Sequence, residues 1–177
     1  RQIARPIEPE ELSGAPFLTL ARDMLATLEA SRGVGLAAPQ VGESVRFLLA
    51  GSFPSSTAPD RPTIAIVPVV NPVIVWRSQQ RESMLEGCLS IANLRVRVER
   101  PVAIRVEGFH LTGEALVLEA SGFLARVLQH EIDHLDGVLI IDHARGPEDV
   151  IAEESTQPVG TSGESRAEAP RPREQST

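Results

Sequence analysis

SGFLARVLQHEIDHLDG, Ser121 to Gly137, decides how this chain is read. Placed on a helix, Phe123, Val127, His130 and His134 fall on one stripe, because helical neighbours recur three and four positions apart. The adjoining stripe holds Leu124, Leu128, Glu131 and Leu135. Two imidazoles and a carboxylate thus take positions where core residues belong. Burying them without partners is costly, and a metal ion is a compact way to satisfy all three. Ser121 suits the N-cap and Gly137 lies just past the end. Taken alone, the H-E-x-x-H spacing also fits two core histidines bonded to backbone carbonyls beside a surface glutamate. The inward stripe argues against that, since Glu131 would then be an unpaired carboxylate in the core.

Around this helix the chain reads as strands. VRFLLA (45–50), TIAIVPVV (63–70), PVIVW (72–76), LRVRV (94–98), VAIRVEG (102–108) and ALVLEA (115–120) are short apolar or alternating runs. HLTGE (110–114) predicts a hairpin turn, and GSFPSSTAPDRP (51–62) a surface loop. Near the start, Phe17, Leu20, Ala21, Met24, Leu25 and Leu28 recur at helical spacing, with Pro16 in the first turn and Gly33 past the end. The expected fold class is α+β: antiparallel strands packed around one central helix that carries the histidines, plus an N-terminal helix. Residues 1–145 form the expected metal-dependent catalytic domain. Residues 146–177 have no aromatic residue, four prolines and seven acidic residues, which predicts a mostly disordered acidic tail. Within it PEDVIAEES (147–155) is short-helix material if it docks.

The bulk composition narrows the function classes. A net charge of −7 gives no support for binding DNA or other nucleic acid, and no run of about 18 apolar residues spans a membrane. All 17 basic residues are arginine, which reads as coding bias. Cys88 is the single cysteine, so no internal disulfide exists, in keeping with a reducing cytoplasmic compartment. The opening RQIARPIEPEEL has no apolar core of a secretory signal.

Two histidines do not make a catalytic metal site, so a third ligand is required. The zinc-peptidase extension H-E-x-x-H-x-x-G-x-x-H has its glycine here, Gly137, but Ile140 at the last position. Downstream, Asp136 and Asp142 sit on no convincing core-facing helix, and His143 reads as exposed, with no spacing rule to make it a ligand. Upstream is EGCLS, Glu86 to Ser90. One cysteine alone is more often an inert core residue, but beside an incomplete H-E-x-x-H helix a thiolate is a strong candidate. Cys88, His130 and His134 supply three protein ligands and leave a fourth position for water, the form of a catalytic site.

Three motifs in order, GVGLAAPQ (33–40), EGCLS (86–90) and HEIDHLDG (130–137), resemble the signatures of the peptide deformylases, and the likeness runs from Arg1 to Asp142. These metal hydrolases remove the formyl group from the initiator methionine of new bacterial and organellar proteins. The resemblance implies one divalent ion per chain, Fe²⁺ first, with Zn²⁺, Ni²⁺ or Co²⁺ able to replace it. Glu131 would be the general base, and the Gln40 amide with the Leu89 N–H would stabilise the oxyanion. Val34, Phe123 and Val127 would line the methionine pocket, with Gly35 letting the substrate backbone approach and Glu86 and Arg95 at the rim. Glu86 with Arg100 reads equally as a structural ion pair fixing the cysteine loop. A formyl-methionyl nascent chain is the implied partner of a bacterial, cytoplasmic monomer, with the ribosome near its exit tunnel a further candidate.

The chain departs from the family in places. The opening apolar strand and PDP-x-L segment are absent before Arg1. Ala92 stands where proline is common, Val96 replaces a small residue, and His110 replaces a frequent aspartate. The 51–62 loop is long enough to narrow the cleft. Trp76 reads as core or sheet surface. Three other readings compete: a metallopeptidase of another family, a relative that binds without turnover, and a structural metal site. The last normally takes four protein ligands.

Overall fold

The computed structural model describes residues 2–54, 56 and 59–153. Helix α1 spans Ala15–Ser31 and helix α2 spans Gly122–Leu135. Eight strands surround them: β1 Gly35–Ala37, β2 Phe47–Ser52, β3 Ile64–Arg77, β4 Arg81–Cys88, β5 Ile91–Pro101, β6 Ala103–Phe109, β7 Ala115–Ser121 and β8 Val150–Ala152. Five form one antiparallel sheet in the order β1-β2-β3-β6-β7, and three form a second in the order β4-β5-β8.

The alternation of strand side chains explains how one sheet serves two helices. Every residue of β2 is buried. Leu48 and Ala50 face the cluster built on Val127, Leu128, Ile132 and Leu135 of α2. Phe47 and Leu49 face the opposite way, toward Phe17, Met24 and Leu28 of α1. Phe17 meets Phe47 edge-on, with ring centroids 5.3 Å apart. The central helix is thus sandwiched against the sheet that α1 covers from behind. The α+β expectation holds in this form, with α2 as the buried helix.

Local details differ from the reading in instructive ways. The runs 63–70 and 72–76 are one strand, β3, rather than two. Asn71, with φ of +50°, forms a bulge that absorbs the break around the prolines. Its side chain accepts from Ile7 N–H at 2.9 Å and donates to Ile7 C=O at 2.8 Å, tying the N-terminal segment to the bulge. Helix α1 closes on Arg32 in the left-handed region, one residue before the expected Gly33, and Leu25 is exposed rather than packed.

Strand β4 has no counterpart in the reading, because RESM alternates too little apolar character to announce itself. Residues Pro147–Asp149 form a 3-10 turn and β8 pairs with β5 at Leu94–Val96. The chain therefore stays folded past the expected boundary at residue 145, as a strand and not as a docked helix. Residues 154–177 of the expected tail lie outside the described residues, as do 55, 57 and 58 of the loop expected to narrow the cleft. Trp76 lies on the sheet surface, 52% exposed. No helix among the described residues is long and apolar enough to cross a membrane.

Candidate metal centre

The centre forms where the end of β4 meets the middle of α2. Cys88 is the last residue of β4, before a two-residue turn, and its Sγ lies 3.2 Å from His134 Nε2. His130 and His134, one helical turn apart, hold their ring centroids 5.0 Å from each other. One ligand atom from each of Cys88, His130 and His134 lies within 4.8 Å of the others. Among the described residues they form the candidate cluster for a metal ion.

The surroundings fix which atoms face inward. His130 Nδ1 lies 3.0 Å from Glu86 Oε2, so the ring donates there and keeps Nε2 for a ligand. Glu86 in turn accepts two bonds from Arg100, Nε at 2.7 Å and Nη2 at 2.9 Å, and one from Arg126 Nη1 at 2.8 Å. Arg126 also donates to the carbonyls of Val98 and Glu82. Glu86 was expected at the rim of a substrate pocket. It is instead 6% exposed beneath the His130 ring, in the ion pair with Arg100 given as the alternative.

Burial would push the Cys88 thiol up, but hydrogen bonds with His130 and His134 and from the Ser90 N–H outweigh it and bring it to about 5. Burial likewise opposes a charged His130, yet hydrogen bonds with Cys88 and Glu86 carry it up to about 10. A thiolate and a buried carboxylate thus recruit positive charge onto the His130 imidazole, beside the place a divalent ion would fill. Glu86 is held down at about 2, its burial outweighed by His130 and Arg100.

Glu131 stands apart. Its carboxyl is buried and raised to about 7 by desolvation, with the two imidazoles acting the other way. Its Oε2 has no hydrogen-bond partner among the described residues. An orphaned carboxylate oxygen beside a thiolate and two imidazoles fits a single divalent ion with a water for Glu131 to hold. Gly35 leaves the room: a Cβ built there would lie 2.2 Å from Glu131 Oε1.

The remaining anticipated residues are distributed as follows. Gln40 accepts from Ala37 N–H through Oε1 at 2.8 Å, which turns its Nε2 toward Cys88 Sγ at 3.9 Å and Ser90 Oγ at 3.2 Å. Leu89 sits at the tip of the β4–β5 hairpin, 56% exposed. Val34 and Phe123 are half-buried against the cluster that contains Val127. Arg95 pairs across from Gly87 and is held by Glu153 at 2.6 Å. His143, expected exposed, is half-buried with its Nε2 2.7 Å from Asp133 Oδ2. Arg126 and Asp133 escaped the reading altogether. The one available signal for Arg126 was a cation four residues before His130, inside an apolar run.

With this geometry in view, the chain matches the family model for polypeptide deformylase over residues 1–150. The chain belongs to the polypeptide deformylase family. Its members are metal-dependent hydrolases that remove the N-formyl group from the initiator methionine of newly made polypeptides, and this chain does the same. The peptide deformylase of Mesorhizobium japonicum is 43% identical over 143 residues, covering 81% of this chain and 77% of the relative. That of Natranaerobius thermophilus is 43% identical over 137 residues, covering 77% and 80%. Among solved structures, a class I type b peptide deformylase from Acinetobacter baumannii with Met-Ala-Ser bound superposes with a TM-score of 0.76. It is 40% identical, over 80% of this chain and 89% of that one. Deformylases use one metal ion, and the cysteine and histidine cluster is the group here that could hold it.

Proposed function

We propose that Cys88, His130 and His134 hold a single divalent ion, Fe²⁺ in the cell, and that Glu131 is the general base for hydrolysis of the formyl group. The observation that carries this reading is the buried Glu131 carboxyl, raised to about 7 and with Oε2 unpartnered, beside the three ligand atoms. When bound, the ion would supply Lewis acidity, which lowers the pKa of water toward about 7 and polarises a carbonyl. Glu131 takes the proton of the attacking water and returns it to the leaving amine of methionine. Formate and a free methionyl amino group are the products. Gln40 Nε2 and the Leu89 N–H donate to the developing oxyanion, each such donor being worth about 10²–10³ in rate.

Val34, Phe123 and Val127 receive the methionine side chain, whose flexible thioether suits an apolar wall. Gly35 lets the substrate backbone pass close to Glu131. The Met-Ala-Ser bound by the Acinetobacter baumannii relative has the composition of a deformylated product and supports a substrate that begins with methionine. Arg95, on the hairpin of Cys88, meets the peptide beyond methionine. All ligands and the base come from one chain, so the site is complete in a monomer, and the bacterial deformylase relatives support work on nascent chains in the cytoplasm, near the ribosome.

The test is formate release from a formyl-Met peptide by protein loaded anaerobically with Fe²⁺ or with Zn²⁺, with an acetyl-Met peptide as control. Release from the formyl peptide alone, faster with iron, is the expected result. Equal unmasking of the methionyl amine in both peptides, followed by amine labelling beside formate, or no formate with metal at full stoichiometry, overturns the assignment.

A further inference from the structure

The ligands of the centre come from two bodies, Cys88 from the β4–β5 hairpin and the histidines from α2. Two buried cations join those bodies: Arg126 of α2, which donates to Glu86 and to the carbonyls of Glu82 and Val98, and Arg100, whose bond to α2 runs through one carboxylate. Arg100, on β5 and 5% exposed, donates Nε and Nη2 to Glu86 of β4 and Nη1 to Asp133 of α2 at 2.8 Å. Asp133 is the weak end of this connection, because its side chain is 24% exposed and water competes for its oxygens. The Asp133 oxygen that accepts from Arg100, Oδ2, also lies 2.7 Å from His143 Nε2. His143 comes from the 3-10 turn Ile140–His143 that follows α2. Ile140 of that turn is packed against Val96 and Val98 of β5, beside Cys88.

We propose that His143 is a positioning residue for the metal centre, holding Asp133 against Arg100 and so fixing the cysteine hairpin relative to the histidine helix. The inference rests on Cys88, His130 and His134 being the ligands. A carboxylate on a helix surface has several rotamers, and most would turn Oδ2 away from Arg100 into solvent. The His143 N–H selects the rotamer that keeps both bonds. Without it Arg100 loses an acceptor, Glu86 is less firmly held, and the His130 ring that Glu86 orients gains freedom. Partners outside the ligands commonly govern how tightly a metal is kept, by factors of about 10–100.

Zinc-loaded parent, His143→Phe and His143→Gln proteins are mixed with excess chromophoric chelator, and the rate of zinc release is followed. Urea unfolding of the same samples runs alongside. The Phe variant is expected to release zinc about tenfold faster, and the Gln variant, which restores a donor near the Nε2 position, to stay within about twofold of the parent. A role confined to folding lowers the unfolding midpoint without separating the two release rates. Release from the Phe variant at the parental rate, or equally fast release from both variants, overturns the proposal. Should the Phe variant not fold, His143→Ala gives the same comparison. A parent that holds no zinc overturns the ligand assignment and this inference with it, whereas a zinc-holding parent with an unaffected Phe variant overturns this inference alone.

Discussion

Gly35 and Glu131 occupy space that cannot be shared: a Cβ on Gly35 would fall 2.2 Å from Glu131 Oε1 and 2.6 Å from its Cδ. Gly35 has ordinary strand backbone in β1, so the requirement is for room and not for an unusual φ. Gly35 of the first motif therefore lets the Glu131 carboxylate lie against bare backbone.

Gly35→Ala separates placement of the base from its presence. Since the colliding atoms are the end of a flexible side chain, the fold survives and the Glu131 carboxylate moves. Formate release should fall by about 10²-fold or more, within the range assigned to a positioned acid–base group. Thermal unfolding and bound metal should stay close to the parent. Parental turnover in the Ala variant would show that Glu131 need not lie where it does.

Glu131→Gln keeps shape and removes basicity. The variant should bind its ion at full stoichiometry while kcat falls by at least about 10². Metal analysis and single-turnover formate release on the same sample decide it, and retained turnover removes Glu131 as base.

Cys88→Ser replaces a soft thiolate, already shifted to about 5, with a hydroxyl that does not ionise at neutral pH. Metal affinity should drop by more than about tenfold, and the preference for softer ions should weaken. Competition with a chelator across Fe²⁺, Co²⁺ and Zn²⁺ measures both effects. Unchanged affinity and preference would remove Cys88 from the ligand set.

Arg126→Met keeps the stem and deletes the guanidinium. It takes one donor from the buried Glu86 and others from the carbonyls of Val98 and Glu82. Loss of one partner of a buried ion pair predicts destabilisation of about 3 kcal/mol by urea unfolding. Arg126→Lys should recover only part of this, because a point charge cannot reach all three acceptors. A Met variant as stable as the parent would show the network to be dispensable.

Acid should loosen the N-terminal segment. The Arg5 hydrogen bond, helped by the Glu8 N–H, holds the exposed Glu11 carboxyl down at about 2. A depressed carboxylate contributes its stability in full above its ordinary range near 4.5, and loses it as pH falls through about 2. Amide exchange of residues 4–8, corrected for intrinsic pH dependence, should therefore accelerate between those values. Glu11→Gln should flatten that dependence, and an identical profile in the variant would exclude Glu11 as its source.

The sequence by itself determined the histidine helix, and through it the fold class. The period of an α-helix puts His130, Glu131 and His134 on adjoining inward stripes whatever packs against them, and Ser121 and Gly137 mark its ends. Strand alternation revealed most of the sheet for the same local reason, though not β4, whose polar outer residues hide its period. Tertiary structure decided everything that depends on partners distant in the chain. The Cys88–His134 contact spans 46 positions and the Arg126–Glu86 bond spans 40. No local period encodes such distances. Whether Glu86 faces a pocket or an ion pair, and whether His143 faces water or Asp133, depends on which chain segment arrives opposite. That is set by packing and by the cost of leaving a buried charge without a partner.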